Sequence, residues 1–307
     1  MYHFIVNPNA RTGKGKEIWK RIETELNATG TEYSVYFTKG VHHATEIVRG
    51  LTYDGIQRRI VVIGGDGTMN EVINGIVRPE SVILGYIPAG SSNDLARSLG
   101  ISSELYKALS DVLNPKYYFD MDIGELSFDG TVRRFAVSAG VGYDAAVCHQ
   151  ALNSRFKKKM NKLKLGKLTY FGIAIKQLFV RKPFGATLIL DDSRKFRFEK
   201  VVFMAVHNQK YEGGGFMFCP DAVSNDGKLD IIIADRLPSI RIAMLLPKAF
   251  KGKHVGKKGI YIYRASKVEL ICDNKQPVHL DGESGGMRTG VMARLPGERV
   301  RIITSRP

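Results

Sequence analysis

The stretch RIVVIGGDGTMNE, residues Arg59–Glu71, decides the fold of the first half of the chain. Its start, Arg59–Ile63, is a nearly continuous apolar run, which is typical of a strand buried on both faces of a parallel sheet. The glycines and Asp66 that follow end this strand, and a helix is predicted from about Met69 to Ile76. A strand, a glycine-rich turn and a helix in this order predict one unit of an open α/β sheet.

The same alternation of strand and helix repeats on both sides of this stretch. Repeated units of this kind predict an open, mostly parallel sheet with helices, whose ligands bind in the loops at the carboxyl ends of the strands. The further strands are predicted at Phe4–Val6, Tyr33–Thr38 and Val82–Pro88, and the further helices at Glu17–Leu26, at His43–Arg49 and up to Leu99.

After about residue 122 the pattern changes to β segments separated by turns such as Asp191-Asp192. The predicted fold class is therefore an α/β N-terminal domain of residues 1–122, followed by a mainly β sandwich of residues 123–307 whose last few residues are free to return to the first domain. A basic insertion, Arg155–Val180, is helical by pattern. The strands of the second domain are predicted at Arg134–Ser138, Ala186–Leu190, Arg197–Val206, Leu229–Ala234 and Ser266–Ile271.

The composition is that of a folded protein, because 44% of the 307 residues are hydrophobic and 25% are charged. Three widely spaced cysteines form neither a disulfide framework nor a CxxC zinc site. No signal peptide is recognised at the start, and no apolar run reaches the roughly 18 residues of a membrane-spanning helix. We therefore predict a cytoplasmic protein that associates peripherally with a membrane.

The positive charge is concentrated in the second half. The chain has 46 Lys and Arg against 30 Asp and Glu, a formal charge of +16. Residues 1–125 carry 13 basic and 15 acidic side chains, a balance of −2, which leaves 33 and 15, a balance of +18, for residues 126–307. Attraction to an anionic partner, such as nucleic acid, a membrane surface or a phosphorylated metabolite, is therefore expected from the second half.

Two polar loops are predicted at neighbouring strand ends, and both suit a phosphate. The glycines after Ile63 let backbone N–H groups approach an anion at a helix start, and the loop Gly90–Asp94 follows the next strand. Asp66 would repel phosphate unless it binds a divalent cation, and Mg²⁺ prefers carboxylate and phosphate oxygens. The alternative is a tight turn without a ligand, but two such loops facing one crevice favour phosphoryl transfer.

The first loop, Asn7–Lys16, also resembles a phosphate-binding turn. It does not match the Walker pattern, because Glu17 follows Lys16 where Ser or Thr is required. No strand is followed by a complete GxGxxG with an acidic ribose partner, which argues against a Rossmann dehydrogenase.

Two acidic turns in the second half are candidates for chemistry. A carboxylate of Asp281-Gly282-Glu283 could accept the proton of a hydroxyl that attacks a phosphate, although a solvated surface turn is the alternative. Asn225-Asp226-Gly227 indicates a hairpin turn, where a bound cation would be structural. The histidines, His207 and His279 included, lack metal-ligand spacing and are expected to be ordinary surface or core residues, and Cys148 is assigned to the core.

Several motifs together resemble the catalytic domain of diacylglycerol kinases, in the branch of bacterial lipid kinases and sphingosine kinases. In the first half these are the Asn7-Pro8 loop, GGDGTMNE at 64–71 and PAGSSNDLAR at 88–97. In the second half, landmarks in the same order lie at Gly140–Asp144, at Asn208–Pro220 with Gly213–Gly215, at Asn225–Asp230 and at Leu280–Glu283.

The resemblance implies roles for individual residues. Glu283 would be the general base with Asp281 close by, and a structural Mg²⁺ would bind the Asp226 carboxylate and backbone carbonyls near Val223 and Lys228. Arg11 stands where many relatives have glycine. The ATP site would comprise Asn7, Pro8, Asn9, Ala10, Arg11, Thr38, Gly64, Gly65, Asp66, Gly67, Thr68, Met69, Asn70 and Ser91.

We therefore predict an ATP- and Mg²⁺-dependent lipid kinase that phosphorylates a lipid hydroxyl at the membrane surface, with diacylglycerol favoured over a sphingoid base or phosphatidylglycerol. The basic stretch of the insertion, Arg155–Leu168, is expected to bind anionic headgroups, with a solvated helix face as the alternative. An NAD kinase is the enzyme alternative, and a nucleic-acid-binding protein is the alternative of another class. No nucleic-acid partner is expected, and a homodimer is left open.

Overall fold

A computed structural model of the chain describes residues 1–153, 172–173, 176–180 and 182–306. The chain divides into two compact units, each with its own sheet: the first comprises Met1–Ile123 and Gly297–Pro307, and the second comprises Gly124–Pro296. In the described residues, no helix is both long and apolar enough to cross a membrane. The predicted insertion Arg155–Val180 lies outside the described residues except for 172–173 and 176–180.

The first unit is a six-stranded sheet with helices, as far as the described residues show. Its strands are β1 (Tyr2–Val6), β2 (Tyr33–Phe37), β3 (Arg58–Gly64), β4 (Val82–Pro88), β5 (Tyr117–Asp122) and β15 (Arg299–Thr304). Its helices are α1 (Ala10–Gly13), α2 (Gly15–Ala28), α3 (His43–Thr52), α4 (Asp66–Gly75), α5 (Asp94–Ser98) and α6 (Leu105–Leu113).

The strand order in this sheet is β2-β1-β3-β4-β15-β5. Neighbours among β1 to β4 pair in parallel, and β15 pairs in parallel with β4 and antiparallel with β5. The predicted open, mostly parallel α/β sheet is therefore confirmed. Parallel strands end at the same edge, so the loops after β1, β2, β3 and β4 share one edge of the sheet.

Helix α2 shows how the sequence pattern builds this unit. Trp19, Ile22 and Leu26 are buried, and their spacing of three and four residues puts them on one helix face. That face packs on the sheet, where the rings of Trp19 and Phe4 lie 5.3 Å apart. This packing fixes the start of α2, and with it the first loop.

The second unit is mainly β, and its strands pair antiparallel in the described residues. The strands are β6 (Gly124–Phe128), β7 (Thr131–Phe135), β8 (Ser138–Gly142), β9 (Phe184–Leu190), β10 (Arg194–His207), β11 (Leu229–Asp235), β12 (Ile260–Ala265), β13 (Lys267–Leu280) and β14 (Glu283–Arg294). Among the described residues, its two longer helices are α7 (Tyr143–Asn153) and α8 (Ser239–Ala249), and residues 176–180 are also helical.

Two long strands, β10 and β13, close the β structure of this unit. Each pairs with β9 at one end and with β8 at the other. The side chains enclosed by these strands form a buried apolar core that includes Phe135, Leu188 and Ile231. The predicted mainly β second domain is therefore confirmed.

The prediction of one strand over Arg134–Ser138 is wrong. Strand β7 ends at Phe135 and β8 begins at Ser138. The break has a physical reason, because the backbone N–H groups of Ala136 and Val137 donate to the Asp281 carboxylate, each at 2.8 Å, instead of to a neighbouring strand. Residues 225–227 form a turn before β11 rather than the hairpin that was expected, because no strand immediately precedes them.

Candidate functional site

The loop after β3 lies against the loop after β4 through glycines. A Cβ atom on Gly90 would lie 2.5 Å from the Cα atom of Gly65, and one on Gly64 would lie 2.6 Å from the Cβ atom of Thr68. A side chain at Gly90 would force the two loops apart, and one at Gly64 would displace Thr68 at the start of α4. The glycines therefore bring two stretches of backbone together at the edge where the sequence predicted a phosphate site.

Asp66 holds the second of these loops in place. Its Oδ2 accepts the backbone N–H of Asp94 at 3.1 Å, and its Oδ1 accepts that of Leu95 at 3.3 Å. Asp66 thus caps the start of α5, where a negative charge is favourable. Asp94 is buried and forms an ion pair with Arg97 at 2.7 Å. Asp66 and Asp94 therefore organise the loop, whatever ligand it takes.

Asn7 ties the first loop to the loop after β3. Its Nδ2 donates to Thr68 Oγ1 at 2.9 Å, and its Oδ1 accepts the N–H of Asn9 at 3.0 Å. A Cβ atom on Gly15 would collide with the Asn7 carbonyl oxygen. Thr38, the buried residue after β2, donates its N–H to the Val6 carbonyl at 2.9 Å.

The predicted ATP-site residues all follow or end strands at one edge of the sheet. Arg11 adopts a φ of +50°, a conformation that favours glycine, which is the residue the resemblance led us to expect there. A cavity of about 260 Å³ lies beside the first loop, and its lining includes the cations Arg11 and Lys14 and the carboxylates of Glu17 and Glu104. Gly64–Asn70 and Ser91 do not line this cavity, so it does not by itself mark the nucleotide site.

Asp281 and Gly282 form the two-residue turn between β13 and β14. Their φ values are +46° and +83°, and Leu280 pairs with Glu283 across the turn, as expected for an Asp-Gly hairpin. The Asp281 carboxylate is not a solvated group, because it accepts the backbone N–H groups of Ala136, Val137 and Ser138 at 2.8, 2.8 and 3.0 Å. Asp281 therefore positions the turn.

Glu283 begins β14 and has different surroundings. Its side chain is half-buried, and within the described residues we find no hydrogen bond or ion pair to its carboxylate. A carboxylate without a partner can accept a proton from a substrate hydroxyl. Of the two acidic residues in this turn, the geometry favours Glu283 for the chemical role.

A buried ionic cluster lies beside this turn and was missed by the sequence reasoning. His279 Nε2 lies 3.1 Å from Asp144 Oδ2 and 3.1 Å from Glu212 Oε1, and Glu212 Oε2 lies 3.3 Å from His207 Nε2. Both imidazoles are completely buried. A Cβ atom on Gly140 would overlap Asp144 Oδ2, so glycine makes room for the cluster on β8.

The cluster holds its charges through mutual attraction. Burial opposes a charge on His279, but the neighbouring Cys148, Glu212 and Asp144 outweigh it and raise the pKa of His279 well above 6.5. Burial also opposes a charge on Glu212, but His279 outweighs it and lowers the pKa of Glu212 to about 2. Asp144, Glu212 and His279 could also hold a divalent cation; with His279 protonated, the imidazolium is itself the cation of the cluster.

A sequence signal for this cluster existed. Asp144 ends the landmark Gly140–Asp144, Glu212 immediately precedes Gly213, and His279 stands two residues before Asp281. Each of the three therefore adjoins a motif that had been singled out. What the sequence did not provide was the pairing of β8 with β10 and β13, which brings these motifs together.

The predicted structural Mg²⁺ site already contains a cation from the chain. Asp226 Oδ1 accepts the N–H of Lys228 at 2.9 Å, and Asp226 Oδ2 is paired with the Arg264 guanidinium. Val223 is exposed on the same loop. The residues as arranged do not fit a metal ion, because Arg264 neutralises the carboxylate that would bind it. The assignment of Asp226, Val223 and Lys228 as ligands stays a prediction.

Comparison of the sequence with known protein families agrees with a fold of two units, an α/β unit followed by a mainly β unit. Residues 1–126 match the family described as diacylglycerol kinase catalytic domain, and residues 136–304 match the YegS C-terminal NAD kinase beta sandwich-like domain. YtlR of Bacillus subtilis (strain 168), provisionally named a lipid kinase, is 29% identical over 300 residues, covering 96% of this chain and 97% of its own.

A second relative points the same way. The diacylglycerol kinase of Bacillus subtilis (strain 168) is 29% identical over 304 residues, covering 97% of this chain and 92% of its own. The two domain models together cover most of the chain, so the chain belongs to the family that combines a diacylglycerol kinase catalytic domain with the YegS C-terminal domain, and the resemblance seen in the sequence is confirmed.

Solved structures show the same fold. A protein of Bacillus anthracis str. Sterne, provisionally described as a diacylglycerol kinase, matches with a TM-score of 0.76 at 22% identity, covering 99% of this chain and 97% of its own. An NAD kinase from Archaeoglobus fulgidus in complex with ATP matches with a TM-score of 0.55 at 14% identity, covering 100% and 94%. At these identities the likeness concerns the fold alone.

Proposed function

We propose that the protein is a lipid kinase that uses ATP and Mg²⁺ to phosphorylate a lipid hydroxyl, with diacylglycerol as the favoured acceptor and phosphatidic acid as the product. The observation that carries this proposal is Glu283, a half-buried carboxylate with no partner among the described residues, held on a turn that Asp281 anchors. The names of the relatives support the acceptor class.

The first unit supplies the nucleotide half of the proposed reaction. Backbone N–H groups of the loop after β3 and the start of α4 are suited to bind phosphate, with Asn7 and Thr68 holding two loops in register. Arg11 and Lys14 add positive charge beside the first loop. Mg²⁺, when bound with ATP, neutralises negative charge on the phosphates during transfer.

The second unit supplies the acceptor half. Glu283 accepts the proton of the lipid hydroxyl as the oxygen attacks the γ-phosphorus, so that the O–P bond forms while the bond to the β-phosphate oxygen breaks and ADP leaves. Catalysis then consists mostly of positioning and charge neutralisation, as in phosphoryl transfer generally.

The proposal is tested with γ-labelled ATP and a panel of acceptors. The protein is incubated with Mg²⁺, labelled ATP and diacylglycerol, sphingosine or phosphatidylglycerol in mixed micelles, and separately with NAD. Label in phosphatidic acid is the expected result. Label in a different lipid would change the acceptor only, whereas label in NAD alone, or in no product, would contradict the proposed function.

A further inference from the structure

Helix α8, Ser239–Ala249, is apolar on its outer face as well as on its inner face. Inwards, Ile242, Leu245 and Leu246 are buried in an apolar core of the second unit. Outwards, Ile240 and Met244 are 63% and 59% exposed, and their spacing of four residues puts them on one stripe. A surface helix of a soluble domain ordinarily presents polar residues outwards, so the exposed Ile240 and Met244 are unusual for this face, which no described residue covers.

Further exposed apolar side chains lie next to both ends of α8. Ser239 Oγ donates to the Leu178 carbonyl at 2.5 Å, which brings residues 176–180 to the start of the helix. There Phe179 and Val180 are 65% and 63% exposed, and Phe250, just after the helix, is 46% exposed. We call Phe179, Val180, Ile240, Met244 and Phe250 the α8 surface.

The chain around the α8 surface is basic throughout. Residues 236–258 contain seven Lys and Arg residues and no Asp or Glu. Lys248 follows Met244 at four residues and extends the exposed stripe of α8, and the exposed Lys251 lies two residues beyond the end of the helix. The seven are Arg236, Arg241, Lys248, Lys251, Lys253, Lys257 and Lys258.

We propose that the α8 surface docks on a phospholipid bilayer with anionic headgroups, with α8 lying in the plane of the interface. Apolar side chains that enter the acyl boundary, and Lys and Arg that reach the phosphates, are the two features of interfacial helices. Nucleic acid would use the same charges but gives no reason for exposed Ile240 and Met244. The use of such docking rests on the proposed function, since a lipid kinase must reach a membrane. The exposed apolar and basic side chains of α8 are observed independently of that function.

A chain of contacts leads from the α8 surface to His279, at the end of the strand before the turn that carries Glu283. Phe250 stacks on Phe216 with their ring centroids 4.0 Å apart. Phe216 and Glu212 exchange two backbone hydrogen bonds of 2.9 Å, and Glu212 contacts His279 at 3.1 Å. His279 lies two residues before Asp281. Docking through α8 would thus place the bilayer against the same unit that holds the proposed general base.

The test is co-sedimentation of the full chain with vesicles, without ATP. Vesicles of phosphatidylcholine with phosphatidylglycerol are compared with vesicles of phosphatidylcholine alone. We expect the wild type to bind the anionic vesicles more tightly, and the Ile240→Asp/Met244→Asp variant to bind them at least about tenfold more weakly. Lys248→Glu/Lys251→Glu should weaken binding by a similar factor and reduce its dependence on salt.

Matched variants control for exposure and charge. Ile56 of the first unit is 61% exposed, so Ile56→Asp makes the same change as Ile240→Asp on a different surface. Lys20→Glu/Lys116→Glu matches the double lysine variant, and circular dichroism establishes that each variant is folded. We expect both controls to bind like the wild type. Wild-type binding by the α8 variants, or equal loss in the controls, would overturn the proposal.

Two further measurements distinguish membrane docking from a failure of the proposed function and from dimerisation through α8. Kinase activity on a short-chain, water-soluble diacylglycerol should be unchanged in the α8 variants, so an absence of activity in the wild type would count against the proposed function and not against docking. A wild-type dimer that Ile240→Asp/Met244→Asp converts to a monomer, with vesicle binding unchanged, would identify the α8 surface as an interface between copies and overturn membrane docking.

Discussion

Asp281 and Glu283 stand two residues apart, yet their carboxylates have different surroundings. Asp281 accepts three backbone N–H groups from the segment between β7 and β8, whereas Glu283 has no partner in the described part of the chain. The first arrangement stabilises a fold, and the second leaves a group available for chemistry. Substitution of Asp281 should therefore lower the stability of the fold, whereas substitution of Glu283 should lower the activity.

Asp281→Asn should lower the free energy of unfolding by about 2 kcal/mol or more, because hydrogen bonds to a charged acceptor are replaced by weaker or unmade ones. Urea unfolding measures the change. Asp129→Asn is the matched control, since Asp129-Gly130 is an Asp-Gly turn with both φ values positive, and the Asp129 side chain is 74% exposed. Equal effects of the two substitutions would contradict the positioning role of Asp281.

At the scale of elements, the close approach of the loops after β3 and β4 decides the predicted nucleotide site. Gly90→Ala places a Cβ atom 2.5 Å from the backbone of Gly65, so the loops must separate. We expect a lower melting temperature and at least about tenfold weaker ATP binding, since displacing binding groups by about 1 Å has large effects. Calorimetric titration with ATP measures the binding.

Gly50→Ala is the matched control for this substitution. Gly50 lies inside α3, and a Cβ atom added to it would meet no other atom within 4 Å. Alanine should therefore stabilise this helix by up to about 1 kcal/mol. If Gly90→Ala left the melting temperature and the ATP affinity as little affected as Gly50→Ala, the close approach of the two loops would not require glycine at position 90.

A second prediction at this scale concerns the ionic cluster that joins Asp144 of α7, His207 of β10 and His279 of β13 through Glu212. Glu212 has a folded pKa of about 2, below its usual 4.5, so its stabilisation is present above pH 4.5 and is lost as the pH falls towards 2. His279 has a raised pKa, so its contribution is complete below pH 6.5 and is lost as the pH rises through the raised value.

Glu212→Gln should therefore lower the melting temperature at pH 6 and flatten its decline between pH 4.5 and pH 2. Thermal unfolding at several pH values measures both effects. Parallel curves for the wild type and the variant would show that Glu212 does not carry the acid sensitivity.

At the scale of the whole molecule, the fold class followed from sequence periodicity, because apolar runs such as Arg59–Ile63 and the turns after them have local causes. Helices α6, α7 and α8 were missed. Helix α8 was not anticipated because Ile240 and Met244 interrupt its polar face and because Pro247, inside the helix, is ordinarily a helix-breaking residue.

Part of the candidate site could likewise be predicted from the sequence, and part could not. The glycine loops and the Asp281-Gly282-Glu283 turn could be found from the sequence, because each is a contiguous motif. The contacts of Asp281 with Ala136 and of His279 with Asp144 link residues more than a hundred positions apart. Such contacts depend on strand pairing, which no local pattern specifies.

The central claim is that Glu283 takes the proton of a lipid hydroxyl in transfer from ATP. The most direct measurement is the rate of phosphatidic acid formation by Glu283→Gln, with Glu269→Gln, another half-buried glutamate of the same hairpin, as control. We predict that Glu283→Gln loses about 10² to 10⁴ in kcat while ATP affinity and melting temperature are unchanged, and that Glu269→Gln is fully active. A fully active Glu283→Gln would contradict the account.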